Sequence, residues 1–428
     1  MSNRTWLSLS SSEPLGPSDR VFGTSEFAVL IASLAFGAPA LLVGLDLLGA
    51  GSALSLTVSQ LILVAPLGIV FAAALIAAVA WAASENGVPT GLLLRPALGV
   101  AGSWLAMAAQ VTFLLCWIAI ELDFGGEAVM EGLRLLGVEG VSKGVAAAGI
   151  AAIAAGFLMA GLSWVVRIWL YRFAFWAAIV LVVVLAWTFL STADLANLMD
   201  ATPTASNFWL GVDAVTLLGI IWFPVIADTA RFVTGSSAAA SGAGSGFAVV
   251  ALILVLIGGL RAATSDVAAT EPALLLVDSL TSFGGVIVVG WLVVAAVDQP
   301  FLLSFSSTTA LSTIHDRFAG RLQTLAVLLT GLMIALFVPM ASIRQIAELV
   351  VVAIAQLLAV LLADYFVVRH RYYETDHLYR RKGTYAGVNL YGLIAVLIGF
   401  FTAVIVNPVG PEGFATWLSS ILPWDSSP

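Results

Sequence analysis

Charge is what this sequence has least of. Asp, Glu, Lys and Arg make up 10% of its 428 residues, where soluble domains carry about 25%. Too few polar groups remain to cover a water-soluble globule, and a mean hydropathy of +1.06 agrees. Cysteine is nearly missing. One thiol, Cys116, excludes an intramolecular disulfide and a cysteine-rich metal site. Histidine is rare too. His315, His370 and His377 have no partner at metal-ligand or Ser-His-Asp spacing, so no hydrolase chemistry is expected. Positive charge is in deficit: 17 basic against 25 acidic residues leave −8, with no basic footprint for a nucleic acid. These shortages exclude most soluble enzymes and all nucleic-acid binders.

What abounds is apolar sequence, at 61% of the chain. A bilayer crossing takes about 20 such residues. Eleven runs reach that scale: 25–49, 57–83, 101–122, 144–164, 170–190, 208–227, 246–262, 280–305, 322–340, 346–368 and 385–406. A shorter run at 413–424 is a candidate twelfth. Residues 1–23 are polar, with no short apolar stretch behind a basic start, which predicts an uncleaved cytoplasmic tail. With that tail inside, four basic residues fall outside (Arg134, Lys143, Arg261 and Arg344) and the other 13 of 17 inside. This bias sets the predicted orientation. Acidic loops around Glu127–Glu139, Asp194–Asp200 and Asp266–Asp278 are then external. The stretch 235–246 (GSSAAASGAGSG) lacks a Lys-Ser/Thr ending and reads as a flexible loop leading into a small-residue helix start.

Ionisable groups inside apolar runs cost about 2.5–3.5 kcal/mol each on insertion scales and mark candidate sites. Asp46 follows Gly37, Pro39 and Gly44 in the first run, where glycine and proline permit a broken helix lining a cavity. Glu121 stands one turn after Trp117 on the same helical face. An indole beside a carboxyl group can stack a flat ring and bond its edge. Asp298 opens Asp298-Gln299-Pro300, where the proline disturbs the helix. The following Ser304, Ser306, Ser307, Thr308 and Thr309 read as small packing residues. The sixth run carries Trp222 and Pro224, with Gly219 before them and Asp228 and Arg231 beyond. Asp228 and Arg231 are spaced to pair at the inner face as gate or hinge residues. A Gly/Pro-interrupted sixth span matching an interrupted first span predicts an inverted repeat, with spans 1–5 and 6–10 as its halves.

Four stretches carry a family resemblance: GVPTGLLLRPALGVAGSWL (87–105), IIWFPVIADTARF (220–232), LLADYFVVRHRYY (361–373) and YAGVNLYGLIAVLIG (385–399). With them the chain resembles the nucleobase–cation symporter family, type 1 (NCS1), over about residues 22–405, and looks closest to its cytosine-permease branch. The resemblance implies an all-α membrane protein with a leucine-transporter-type 5+5 inverted repeat, broken helices 1 and 6, and 11–12 transmembrane helices. Its core would span 24–369, with repeat one at about 25–190 and repeat two at about 208–368. A basic cytoplasmic loop at 370–384 and trailing helices at 385–428 would follow. The implied function is secondary transport, not enzymatic catalysis: import of a small planar nitrogen heterocycle such as cytosine across the cell membrane. Trp117 and Trp222 would sandwich the ring. Glu121, Gln299 and Asp46 would complete the site. Asp298 and Asp46 would serve the coupling ion, Na⁺ or H⁺, with no other cofactor. In span 8 a carboxylate stands where the family usually offers hydroxyl and Asn side chains, so proton coupling is an alternative to sodium. The acidic site also suits an amine or a vitamin precursor such as a hydroxymethylpyrimidine. A membrane sensor that binds without transporting is the remaining alternative.

Overall fold

The computed structural model describes residues 14–48, 54, 56–192, 207–263, 282–380 and 383–421. The predicted loops Asp194–Asp200 and Asp266–Asp278, most of the N-terminal tail and the end of the 413–424 run lie outside them. Among the described residues, seven helices are long and apolar enough to cross a membrane, and one bent pair makes an eighth. The bent pair, Thr24–Ala35 and Ala38–Leu48, is the first span. The second to seventh spans are Val58–Asn86, Arg95–Leu135, Lys143–Ala160, a fifth running from Leu162 into Phe175–Thr192, Phe208–Ala230 and Ser236–Ala263. Ser282–Ile314, Arg321–Phe337, Met340–Leu362 and Leu390–Val406 occupy the eighth to eleventh positions.

The packing has an internal symmetry. The first span packs on the seventh, and the sixth on the second. The third packs on the ninth and tenth, and the eighth on the fourth and fifth. Adding or subtracting five converts each of these contacts into another of them. The pairs second–seventh, third–eighth and fourth–ninth convert into themselves, and all three are present. This is the signature of two five-helix halves folded alike.

Small residues set the closest approaches. Gly246 lies against the Ala28 backbone and Gly258 against the Leu41 carbonyl, where a Cβ would fall on main-chain atoms. The first and seventh spans are thus joined through glycine faces, as expected where lipid supplies no hydrophobic drive between helices. The stretch 235–246 is therefore no flexible loop. It is helical from Ser236 onward, because packing against the first span fixes it.

Two further expectations change. The acidic segment Glu127–Glu139 is mostly the end of the third helix, which runs to Leu135. The sixth span is not broken: the helix continues through Pro224. The final described helix, Glu412–Ile421, has 10 residues. At 1.5 Å per residue it reaches about 15 Å, half a hydrocarbon core.

The first span does break. The carboxyl end of Thr24–Ala35 is closed by Phe36, whose N–H donates to the carbonyls of Ala32 and Ser33. The chain then turns by 48°. Pro39 falls in the first turn of the next half, where its missing N–H costs nothing. At the end holding the N-terminal segment, Val21 and Phe22 donate to the Phe232 carbonyl at 2.8 and 3.0 Å, tying the first span to the sixth. Gly99, at φ 78°, kinks the start of the third helix. The kink frees the Val100 and Ala101 amides to bond the carbonyls of Tyr385 and Gly387. Two of the resembling stretches, 87–105 and 385–399, thus meet.

Gly246→Ala is expected to lower stability by about 1–3 kcal/mol, the usual cost of overpacking. Gly244→Ala, whose new Cβ would sit 3.5 Å from Ala77, should leave the melting temperature equal or higher. Thermal unfolding of the purified protein in detergent checks both.

Candidate functional site

A cavity of about 530 Å³ opens between the first, third, sixth and tenth spans. Its walls come from the second half of span 1 (Pro39 to Asp46), from Phe113 to Phe124, from Ala214 to Ile221, and from Arg344 to Val351. All four stretches lie toward the end that the charge bias assigns to the exterior. Phe113, Trp117 and Phe124 supply an aromatic side, and Asp46, Glu121, Glu348 and Arg344 supply the charge.

Helical spacing explains the aromatic wall. Phe113, Trp117 and Glu121 recur every four residues, so one face of the third span presents all three. Phe113 and Trp117 stack at 5.7 Å with planes 28° apart. Trp117 and Trp222 instead meet edge to face, at 6.3 Å and 82°. The expected sandwich is therefore not formed in this conformation, because the rings touch each other. Trp222 is buried and stands outside the cavity lining.

The acidic residues divide by burial. Asp46 is exposed at the cavity rim, with Arg344 acting on it across the opening. Glu121 and Asp298 are both 2% exposed and lie close enough to repel each other. Ser33 faces Asp298. No basic side chain acts on either carboxylate among the described residues. Asp298 Oδ1 is buried there without a hydrogen-bond partner, while the Trp117 indole N–H faces Glu121. Gln299 does not line the cavity. With its amide nitrogen toward Glu121, it donates to Glu121 Oε1 at 2.7 Å and accepts from the Gly37 N–H at 3.1 Å. Gly37 is required there, since a Cβ would fall on the Gln299 amide.

Asp228 belongs to a different cluster, beyond Pro224 on the same helix. Its Oδ1 accepts from the Thr90 amide at 2.9 Å and the Thr90 hydroxyl at 2.8 Å. Its Oδ2 accepts from Gln110 at 3.2 Å and from the Ser306 hydroxyl. The Thr90 hydroxyl also reaches the Pro224 carbonyl at 2.9 Å. One carboxylate thus joins the connection before span 3, spans 3 and 8, and its own span 6. The predicted Asp228–Arg231 pairing takes another form. The carboxylate is occupied by these donors, and Arg231 Nε bonds the Asp228 backbone carbonyl at 3.2 Å. Of the hydroxyls after Pro300, Ser304, Ser307, Thr308 and Thr309 bond carbonyls of their own helix. Ser306 points away from that pattern to Asp228. Thr90, Gln110 and Ser306 were missed in the sequence. Gln110 could have been found, since it lies seven residues before Trp117 on one helical face.

These features place a polar-floored cavity beside a helix break, sealed at the far end by a buried carboxylate hub. A family model described as permease for cytosine/purines, uracil, thiamine and allantoin matches residues 14–417. The chain belongs to this family. It is an NCS1 transporter of nucleobase-like substrates, not an enzyme. Its fold is that of the NCS1 transporter Mhp1 in a closed conformation with bromovinylhydantoin bound, at TM-score 0.74 and 18% identity over 96% of both chains. Inward-facing Mhp1 matches at 0.70, with 18% identity over 96% of this chain and 94% of that one. The Eremococcus coleocola manganese transporter matches more distantly, at 0.55 and 10% identity over 98% and 94%. No curated protein sequence matches the chain. The matches to Mhp1 establish the leucine-transporter-type fold expected from the sequence.

Asp228→Asn would turn an amide N–H₂ toward donors inside a buried site. The expected cost is about 2–4 kcal/mol, against about 1–2 kcal/mol for Ser306→Ala, which removes one donor. Thermal unfolding separates the two. Equal melting temperatures for Asp228→Asn and the parent would refute the hub.

Proposed function

We propose that the protein imports a small planar nitrogen heterocycle across the cell membrane, with cytosine the first candidate, driven by a cation and with the N-terminus cytoplasmic. The observation that carries this reading is the cavity whose aromatic wall ends on Glu121, with Asp298 behind it. A flat ring can lie on Trp117 while Glu121 accepts hydrogen bonds from its edge. In the substrate-bound state Trp222 would withdraw from its edge contact and close the second face of the ring. Asp46 at the rim would meet the substrate or its cation first.

The coupling ion follows from electrostatics. Two buried carboxylates beside each other are costly unless a proton or a cation neutralises one of them. Asp298 Oδ1, buried without a partner, is the natural place for H⁺ or Na⁺. A second substrate reading rests on the charge of the cavity lining, where three carboxylates face one arginine. That balance favours ligands bearing an amine, such as a hydroxymethylpyrimidine-like vitamin precursor.

Thermal stabilisation by cytosine, uracil, a hydroxymethylpyrimidine and a simple amine tests these readings, in sodium or choline and at pH 5.5 or 7.5. A cytosine shift that needs sodium assigns Asp298 to sodium. A shift favoured by acid and indifferent to sodium assigns the pair to a proton. A shift with the amine-bearing compounds but not with cytosine selects the second reading. Trp117→Ala should weaken binding of the active compound by roughly ten- to hundredfold, since stacking a base is worth about 1–3 kcal/mol. Unchanged binding would sink the ring-stacking site. Binding without uptake into proteoliposomes would instead indicate a sensor.

A further inference from the structure

The second and sixth spans lie side by side in register. Gly219 meets Ala72, Gly68 meets Val215 and Gly211 meets Val64, each where a Cβ on the glycine would crowd the facing residue. These pairs share one offset in sequence, so the two helices run parallel. Ala72 is the midpoint of Val58–Asn86, and Gly219 is the midpoint of Phe208–Ala230. Their contact marks the middle of both crossings, and depth is counted from it at about 1.5 Å per residue.

On that scale Trp209 stands about 15 Å from the middle, at the edge of a hydrocarbon core about 30 Å thick. It is 68% exposed, in an interfacial position that suits an indole. Asp213, one turn further in on the same face, stands about 9 Å from the middle. It is exposed too, so its carboxylate faces lipid. It lies outside the substrate cavity, which the neighbouring Ala214 lines. A carboxylate on a lipid-facing surface is costly. Its side chain is too short to snorkel to the headgroups as Lys or Arg can. Among the described residues no basic group forms an ion pair with it.

A groove of about 500 Å³ continues from this carboxylate. Trp209, Asp213 and Thr216 form one wall, and Phe71, Ala74 and Leu75 of the second span form the other. The Thr216 hydroxyl is taken by the Val212 carbonyl at 2.8 Å. By the register, Leu75 lies just past the middle. The groove thus runs about 20 Å, from the interface to the bilayer centre. Its one charge is near the mouth and its depth is apolar.

We propose that this groove binds a phospholipid with a primary-amine headgroup, such as phosphatidylethanolamine, with the ammonium on Asp213 and an acyl chain along Phe71 and Leu75. The ammonium brings three N–H donors and a positive charge to a group that only accepts. The Trp209 indole offers it a π face. To reach Asp213 the head sinks about 6 Å below the hydrocarbon edge, which local thinning of the bilayer permits. A choline head has the charge but no N–H donor, and a glycerol head leaves the lipid's own negative charge facing a carboxylate. A second copy of this chain fits worse, since a two-fold contact here would set Asp213 against Asp213. The inference is independent of what the protein transports.

Native mass spectrometry of the purified full-length protein provides the test. The protein is stripped of lipid, then offered phosphatidylethanolamine, phosphatidylcholine and phosphatidylglycerol with identical acyl chains in equal amounts. One phosphatidylethanolamine should be retained roughly five- to tenfold better than either rival, about the worth of one hydrogen bond. Asp213→Asn should remove that preference without changing the melting temperature, since the side chain faces lipid. Phe71→Ala should lower retention of all three lipids alike. Equal retention of the three by the parent, a preference for phosphatidylglycerol, a preference that survives Asp213→Asn, or retention untouched by Phe71→Ala would overturn the proposal. So would a dimer or a bound membrane protein that Asp213→Asn releases, because the carboxylate would then serve a protein contact.

Discussion

A helix that stops inside a bilayer leaves backbone N–H and C=O groups with no water to bond, and each costs several kcal/mol unless the protein satisfies it. The break between Ala35 and Ala38 creates that demand here. Phe36 satisfies two carbonyls by turning back, and the Gln299 amide reaches the Gly37 N–H from the eighth span. The site is assembled around this repair. Gln299 can serve the break only if span 8 lies beside span 1, and that places Asp298 against Ser33. It also draws Glu121 of span 3 to the same point. The cavity and the buried carboxylate pair thus lie around one interrupted stretch of backbone.

The symmetry-related sixth span meets a different fate. Its proline removes a donor, yet the helix continues through it. The two halves therefore differ. The first span is interrupted between Ala35 and Ala38. The sixth is rigidly bound through Asp228 to the connection before span 3, to span 3 and to span 8. In this conformation the cavity lies on one side of that hub, and the chain packs tightly on the other, where Val21 and Phe22 bond Phe232.

Much of this was legible in the residues. Eleven apolar runs, the break at Gly37 and Pro39 and the shared face of Trp117 and Glu121 follow from local period and helix-breaking chemistry, and the structure has each of them. Three features were not legible, for a common reason. The sixth helix runs on through Pro224 among the second, eighth and tenth spans that pack on it. The helical state of 235–246 depends on the facing backbone of the first span. The edge-to-face meeting of Trp117 and Trp222 depends on how far two spans have closed. Each is decided by a tertiary partner that no local pattern encodes.

Asp228 and Asp298 differ in how completely the fold satisfies them. Both lie in apolar helices near a proline, and both are buried. By sequence Asp298 lies within an apolar run and Asp228 just beyond one. Hydrogen bonding divides them. Asp228 has two donors at each oxygen, so the fold itself occupies the positions a further ligand would take. Asp298 keeps one oxygen without any partner, next to a second acid. A buried group left so is destabilising by itself. Selection for stability would fill or remove it. Under the function proposed above, a coupling ion that completes it in each transport cycle accounts for its presence.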